Sequence, residues 1–522
     1  CWVGGTTPPT PCWRRPPRWR HGCCRPERLA CLIAAPSSGS GKTLLTLMLL
    51  ALARRRGHSI QPFKVGPDYL DPQLLTRLAA RPCRNLDTLL CGEDWVRRCF
   101  AWHGSRAELA LVEGVMGLFD GRGPTAEGSS AAVAALLDLP VVLVVEASRQ
   151  AGSLAALVRG FRDHGPPAVR LAGVVLNRVS SPRHRALLSE ALAAIAVPLL
   201  GVLPQHESLD LPSRHLGLLP AAELPDLPQR AAHWATLAEQ HLDLERLWPL
   251  LAAPAAAAGA QNPIASLRLG LHDRAAPLPQ PLPVAIASDA AFHFRYPEAT
   301  ELLHALGGEP RPWSPLADEP LPAGTRAVVL PGGYPELHAG ALAASRRALD
   351  ALRQAVGAGL PLVAECGGLL LLGERLADAA GHWHAMAGLL PFAAARGELS
   401  LGYRQASCRR DGLLTRSGER WSGHEFHRWQ LQRTAAAPAA AAVAAGAGLW
   451  QLEGWGSSPR EEGWNGPNVH ASWLHLHWAG CPAIPHRLLA AAATVAPLPP
   501  AAVSCSPANP APSFRRSAGA SW

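Results

Sequence analysis

The stretch "LACLIAAPSSGSGKTLLTLMLLALARR" (Leu29–Arg55) runs from a short apolar segment, through a small polar loop, into a long apolar one. A brief Val/Leu/Ile-type run bounded by turn residues reads as a buried strand, here Leu29–Ala35, and Thr43–Arg56 reads as the helix that follows it. A strand, a glycine-rich loop and a helix in that order leave little freedom. The helix N-terminus and successive backbone N–H groups must converge on one point, which makes an anion site at a strand's carboxyl end. Gly39 and Gly41 let the backbone approach phosphate oxygens, Lys42 reaches the terminal phosphates, and Thr43 is placed to ligate Mg²⁺.

Lys42 is one of only two lysines among 49 basic residues; the other is Lys64, in "FKVGPDYLDP". Arginine is the default cation of this chain, so a lysine marks a place where a wide planar guanidinium could not serve. A narrow phosphate cradle is such a place. Ser38, Gly39, Ser40, Gly41, Lys42 and Thr43 are therefore the expected ATP contacts. Pro36 replaces the first glycine of the usual loop pattern. Ser37 stands where partition-type ATPases carry a second lysine, which argues against that class.

At 522 residues the chain exceeds one core and divides into domains. Its 48% hydrophobic and 17% charged composition fits a globular protein. Part of the formal charge of +9 lies in residues 1–27, read as a disordered basic extension rather than a nucleic-acid-binding arm. The twelve cysteines lack paired metal-type spacing, which suits a reducing cytoplasm. The longest apolar run, Ala131–Ala147, contains Asp138 and Pro140, so no membrane span is expected.

From Arg28 short buried-strand patterns alternate with helical ones: "LALVEG", "VVLVVEA", "LAGVVLN" and "VPLLGVLP" continue the series. Continuous Val/Leu runs separated by helices indicate parallel strands covered on both faces. Residues 28–245 are thus an α/β, doubly wound P-loop domain. Ala/Pro-rich residues 246–281 read as a linker. "PVAIASD", "AVVLPGG" and "LPLVAEC" open a second α/β domain over 282–495, with an Ala-rich insertion at Ala435–Gly448 and a disordered tail at 496–522.

Mg²⁺ on a triphosphate needs hard oxygen ligands. Asp68 and Glu113, in "KVGPDYLDP" and "LVEGVMGLFDG", end strands of the first domain, where open α/β sheets bind ligands. Apolar surroundings make a buried carboxylate costly unless it is paired or metal-bound, so both are expected near the metal with Thr43.

"AAPSSGSGKT", "FKVGPDYLDP", "LVEGVMGLFDG", "VVLNRV" and "LPSRHLGLLP", in this order, resemble the cobyrinic acid a,c-diamide synthase family, whose ATPase fold is shared with dethiobiotin synthetase. The resemblance covers residues 28–495. It implies ATP-dependent amidation of corrinoid carboxylates through acyl phosphates. It further implies Lys64 facing phosphates or substrate, Tyr69, Leu70, Asp71 and Asp120 flanking the corrinoid, and Asn177 reading adenine. A strand-end turn role for Asn177 stays open.

In "LPLVAECGGLLLLG" a strand, a tight turn and a helix place Cys366 as an exposed nucleophile, with its thiol acidified by the helix N-terminus. Gly332 and Gly333 of "LPGGYPE", with Gly367, suit an oxyanion hole. His475 and His477 of "ASWLHLHW" both qualify as base. Together these resemble a triad-type (class I) glutamine amidotransferase domain, using L-glutamine. Alignment to that family favours His475 and leaves His477 where a third, acidic member usually stands. "GHEFHRW" (Gly423–Trp429) matches the family without an assignable role.

Cobyric acid synthases share both domains, and relatives acting on metal-free hydrogenobyrinic acid are not separated by sequence. Ala299 and Ser213 stand where Asn and Glu are expected in the family. From another class, a non-catalytic nucleotide-dependent module would be favoured by loss of Lys42 or Cys366; both are present. The expectation is a cytoplasmic enzyme binding corrinoid, ATP, Mg²⁺ and glutamine, compatible with a homodimer.

Overall fold

The computed structural model describes residues 30–205, 213–214, 217–218, 223–256, 260–271, 280–434 and 447–499. The expected N-terminal extension, most of the tail, most of the Ala-rich insertion and most of the "LPSRHLGLLP" motif, including the Ser213 side chain, lie outside the described residues.

The first domain is built on seven strands, β1 (Cys31–Ala34), β2 (Ile60–Val65), β3 (Arg84–Leu86), β4 (Leu109–Glu113), β5 (Pro140–Glu146), β6 (Arg170–Val179) and β7 (Leu199–Pro204). They pair in the order β3-β2-β4-β1-β5-β6-β7, every pair parallel. β1 and β4 are buried along their whole length, which explains why their sequences lack alternation. Helix α1 (Lys42–Arg55) is buried nearly all round because helix Leu227–His241 packs on it opposite the sheet. The crossovers bring the ends of β1, β2, β4 and β6 to one edge.

The second sheet has a parallel half, in the order Gly308–Trp313, Leu282–Ala287, Ala327–Leu330, Leu362–Glu365, Val469–Ser472. It continues as antiparallel strands Ser457–Asn465, Ala447–Gly454 and Phe392–Cys408, the last paired with Arg420–Arg433. Those long antiparallel strands were not expected from sequence.

The two domains meet closely. Arg84 of β3 is buried and bonds Glu301 (2.6 Å) and Glu298 (3.2 Å) on helix Pro297–Ala305. The Tyr403 hydroxyl donates to Asp87 at 2.9 Å. The stretch read as a linker carries helix Pro263–Leu271, packed on helices Glu93–Gly104 and Pro297–Ala305 and so touching both domains. It buries Pro263 and Ile264. Among the described residues no helix is long and apolar enough to cross a membrane, and all seven cysteines are free.

Candidate active sites

The loop after β1 curls through left-handed turns at Gly39 (φ 81°) and Gly41 (φ 111°). Ser38 and Gly39 are exposed at its tip, while the Ser40 hydroxyl donates back to the Ser37 carbonyl at 3.0 Å. Lys42 folds across the loop, its Nζ donating to the carbonyls of Met116 (2.6 Å) and Ser37 (3.4 Å). Both are neutral acceptors, weaker partners for an ammonium than a phosphate oxygen. Burial, aided by the Lys64 charge, pulls Lys42 down to about 8. Asn177 at the end of β6 donates from Nδ2 to the Ser40 carbonyl at 3.0 Å, and its Oδ1 is buried without a partner. The expected ATP contacts are thus gathered at one sheet edge, with Asn177 bracing the loop and only its carbonyl left to accept.

Glu113 ends β4 fully buried. The Thr43 hydroxyl donates to its Oε1 at 2.8 Å, and Oε2 has no partner. Lys64 Nζ is 2.7 Å from Glu113, 2.5 Å from Asp71 and 3.5 Å from Asp68. Burial alone would lower Lys64, but Asp71 and Glu113 outweigh it and hold the ammonium well above its ordinary range. Asp71 stays below the ordinary carboxylate range because Lys64 overrides its burial. Burial lifts Glu113, and burial with the Asp71 charge lifts Asp68 to about 7. Asp68 Oδ1 accepts from the Leu70 and Asp71 amides at 2.9 and 3.2 Å and so shapes the loop.

Several expected substrate contacts are placed differently. Lys64 and Asp71 neutralise each other inside the protein rather than facing outward, because a buried cation needs paired carboxylates. Tyr69 and Leu70, expected beside the corrinoid, are buried in an aromatic cluster with Phe294 and Tyr296 of the second domain, where their apolar surface is removed from water. Asp120 is exposed at the rim of the phosphate loop, its Oδ2 accepting from the Gly117 amide at 2.8 Å.

In the second domain Cys366 follows strand Leu362–Glu365 at φ 48°, a left-handed conformation rare for a non-glycine residue, and helix Gly367–Leu372 begins directly after it. The expected acidified, exposed thiol is not found. Cys366 is buried, and that burial, with Glu336 adding to it, raises the thiol far above its ordinary value; the six-residue helix does not compensate. The amide nitrogen of Gly333 lies 2.8 Å from where a Gly367 side chain would begin, so the expected oxyanion glycines are neighbours.

His475 and His477 part company. His477 stacks on Tyr296 (4.2 Å between ring centres) with Nε2 3.8 Å from Glu298, at the domain boundary. His475 lies against Gly332, where a β-carbon would sit 2.5 Å from its Cε1; only glycine admits the ring. Burial, with His424 beside it, holds His475 well below its ordinary value. Glu365 Oε2 is 3.9 Å from His475 Nδ1, and burial lifts that carboxyl to about 8. Glu365 and His424 were not singled out as site residues. His424 lay within "GHEFHRW" and forms a two-way backbone bridge with His475 (2.9 and 3.1 Å). A cavity of about 30 Å³, room for a water or two, is lined by Tyr69, Phe294, Tyr296 and Glu365 among others.

Two family models match the chain: the CobQ/CobB/MinD/ParA nucleotide binding domain over residues 31–219, and the CobB/CobQ-like glutamine amidotransferase domain over residues 283–482. Fold and matches together define a nucleotide-dependent glutamine amidotransferase, a carbon–nitrogen ligase. Cobyrinate a,c-diamide synthase of Synechococcus sp. is 41% identical over 457 residues, covering 87% of this chain and 96% of that protein. The protein of the same name from Gloeobacter violaceus is 43% identical over 453 residues, 86% of this chain and 94% of its own. Hydrogenobyrinate a,c-diamide synthase of Streptomyces coelicolor is 41% identical over 485 residues, with 88% and 96% covered. The chain belongs to the cobyrinate a,c-diamide synthase family.

Proposed function

We propose that this enzyme amidates the a and c side-chain carboxylates of cobyrinate in corrinoid biosynthesis, using ATP and glutamine. The observation that carries the reading is the presence in one chain of two centres with complementary chemistry, Lys42 on its phosphate loop and Cys366 on its strained turn. Residues 28–245 form the synthetase part and 282–495 the glutaminase part.

On the synthetase side a substrate carboxylate oxygen attacks the γ-phosphorus of ATP, releasing ADP and leaving an acyl phosphate. Lys42 and the backbone amides of Ser38–Thr43 bind the phosphates and balance charge on the transferring group. The buried unpartnered Oε2 of Glu113, beside the Thr43 hydroxyl, fits Mg²⁺, which takes few protein oxygens and otherwise water and phosphate. Among the described residues there is no preformed cage of three His, Cys, Asp or Glu ligands, as such a shared site requires none. When bound, the ion would be held by Thr43 and Glu113, with Asp68 nearby, and would polarise the phosphates. Asp120 at the rim suits contact with the substrate's periphery.

On the glutaminase side the Cys366 sulfur bonds the glutamine amide carbon while its proton passes to His475. The Gly332, Gly333 and Gly367 backbone supports the oxyanion, and the proton leaves with ammonia. Water then cleaves the thioester to glutamate. Ammonia displaces phosphate from the acyl phosphate, giving the amide.

The test is incubation with ATP, Mg²⁺ and glutamine plus either cobyrinate or hydrogenobyrinate, counting amides by mass. Two amides on cobyrinate are expected. Preference for the metal-free acid, or more than two amides, would reassign the substrate; the absence of any ATP-dependent product would overturn the reading. Its setting is the cytoplasm, and light scattering would decide between monomer and homodimer.

A further inference from the structure

A large apolar side chain left in water beside a reaction centre points to something that covers it. Among the described residues the most exposed of these is Trp455, at 69%. It stands in the two-residue turn between strands Ala447–Gly454 and Ser457–Asn465, where Gly456 is left-handed (φ 68°). The turn is held in place. Ser457 Oγ donates to the Gly454 carbonyl at 3.1 Å, and a β-carbon on Gly454 would sit 2.8 Å from the Tyr403 carbonyl oxygen.

The indole belongs to the second domain but lies against the first. A β-carbon at Gly123 would fall 2.5 Å from Cγ and 2.7 Å from Cδ1 and Cδ2 of Trp455, so only glycine admits the ring. Gly123 is in the loop after β4. The same loop carries Met116, whose carbonyl accepts from Lys42 at 2.6 Å, and Asp120 at the rim of the phosphate site. Met116 itself is 40% exposed. Leu401 extends the apolar surface on the other side: it is 57% exposed. On its strand it shares a face with Tyr403, whose hydroxyl reaches Asp87 of the first domain. Both domains therefore contribute to one apolar surface beside the phosphate loop. β4 and β6 flank the loop's strand on opposite sides, so Asn177 at the end of β6 lies away from this surface. That position does not suit the nucleotide base.

A corrinoid acid is a flat, largely apolar macrocycle with carboxylates around its rim. When one rim carboxylate is held at the phosphate site, the ring's face lies against whatever flanks that site, and covering the face removes it from water. We propose that Trp455, with Leu401, is the glutaminase domain's contribution to corrinoid binding: an apolar wall for the macrocycle, opposite the loop that follows β4. This rests on the reading of cobyrinate as the substrate. The indole offers a broad, rigid surface for the ring, while the carboxylates are left to the phosphate side of the site.

The experiment compares full-length wild type with Trp455→Phe, Trp455→Ala and Leu401→Ser, each checked for folding by its Tm. Cobyrinate binding is measured by equilibrium dialysis, read from the visible absorption of the corrin. The KM for cobyrinate is measured with ATP and Mg²⁺, using either ammonium chloride or glutamine as nitrogen donor. Trp455→Ala should weaken binding and raise this KM about tenfold or more with both donors, while the KM for ATP is unaffected. Trp455→Phe should recover most of the affinity, because a ring still faces the macrocycle, and Leu401→Ser should raise the KM about threefold. Wild-type cobyrinate affinity in folded Trp455→Ala overturns the proposal. So does a loss seen with glutamine but absent with ammonium chloride, which would make Trp455 part of the joint between the domains. Should Trp455→Ala fail to fold, Leu401→Ser decides: a raised KM supports the proposal and an unchanged one overturns it. Wild-type protein that neither binds nor amidates cobyrinate would overturn the substrate reading, and this proposal with it.

Discussion

Lys64 Nζ lies 2.7 Å from the fully buried carboxylate of Glu113 and 2.5 Å from Asp71, so the second of the chain's two lysines is an internal counter-ion. Removing one partner of such a group leaves the others charged and desolvated. Lys64→Met should therefore cost about 3–5 kcal/mol of stability. Chemical denaturation measures this directly; a loss below about 1 kcal/mol would mean that the carboxylates are not held by this ion pair.

Lys42 bonds the carbonyl oxygens of Met116 and Ser37 as a compact ammonium, a geometry that a planar fork of five N–H donors does not reproduce. Lys42→Arg should reduce ATP-dependent amidation about 100-fold or more while glutamate release from glutamine persists. Near-normal diamide yield from this variant would be incompatible with the phosphate-loop assignment.

Cys366 is remote in sequence and in chemistry from the acyl phosphate. Cys366→Ser should lose glutamine-dependent diamide formation, since a serine there lacks the nucleophilicity to form the acyl-enzyme without a strongly activated base. Ammonium salt at alkaline pH should restore the product with ATP still consumed. A folded variant inactive with both nitrogen donors would show that the two centres are not chemically separable.

Glu365 titrates at about 8 in the fold against 4.5 ordinarily, so between these values the folded protein keeps a proton that the unfolded chain has released. Stability from this group falls as pH rises across that window, and above about 8 it no longer changes. Glu365→Gln removes the effect. Its stability relative to wild type should grow from pH 5 to pH 8, by up to about 1 kcal/mol per unit. A pH-independent difference between the two denaturation curves would rule out a neutral Glu365.

The parallel sheet and the phosphate loop were legible because both are local: continuous Val/Leu runs give buried strands, and Gly39, Gly41 and Lys42 are adjacent in sequence. The turn at Cys366 was legible for the same reason. The state of its thiol was not, since the helix start is visible in sequence while burial of the sulfur is a tertiary property. The packing of Tyr69 was hidden for the same reason: its ring meets Phe294, Tyr296, His424 and His475, all more than two hundred residues away. Helix Pro263–Leu271 was hidden by Ala/Pro-rich neighbours that set the composition of its segment.

β3 is the edge strand of the first sheet, and it carries Arg84, whose charge is cancelled by Glu298 and Glu301 of the other domain. An edge strand offers unpaired backbone groups to any passing chain, and burying it against a neighbour is one way to block self-association. The seam thus holds the charged side chain of that edge strand as well as joining the domains. A gene split between residues 256 and 280 would release a first half with that edge and an uncancelled arginine in water. The boundary so plain in the sequence is a poor place to cut the protein.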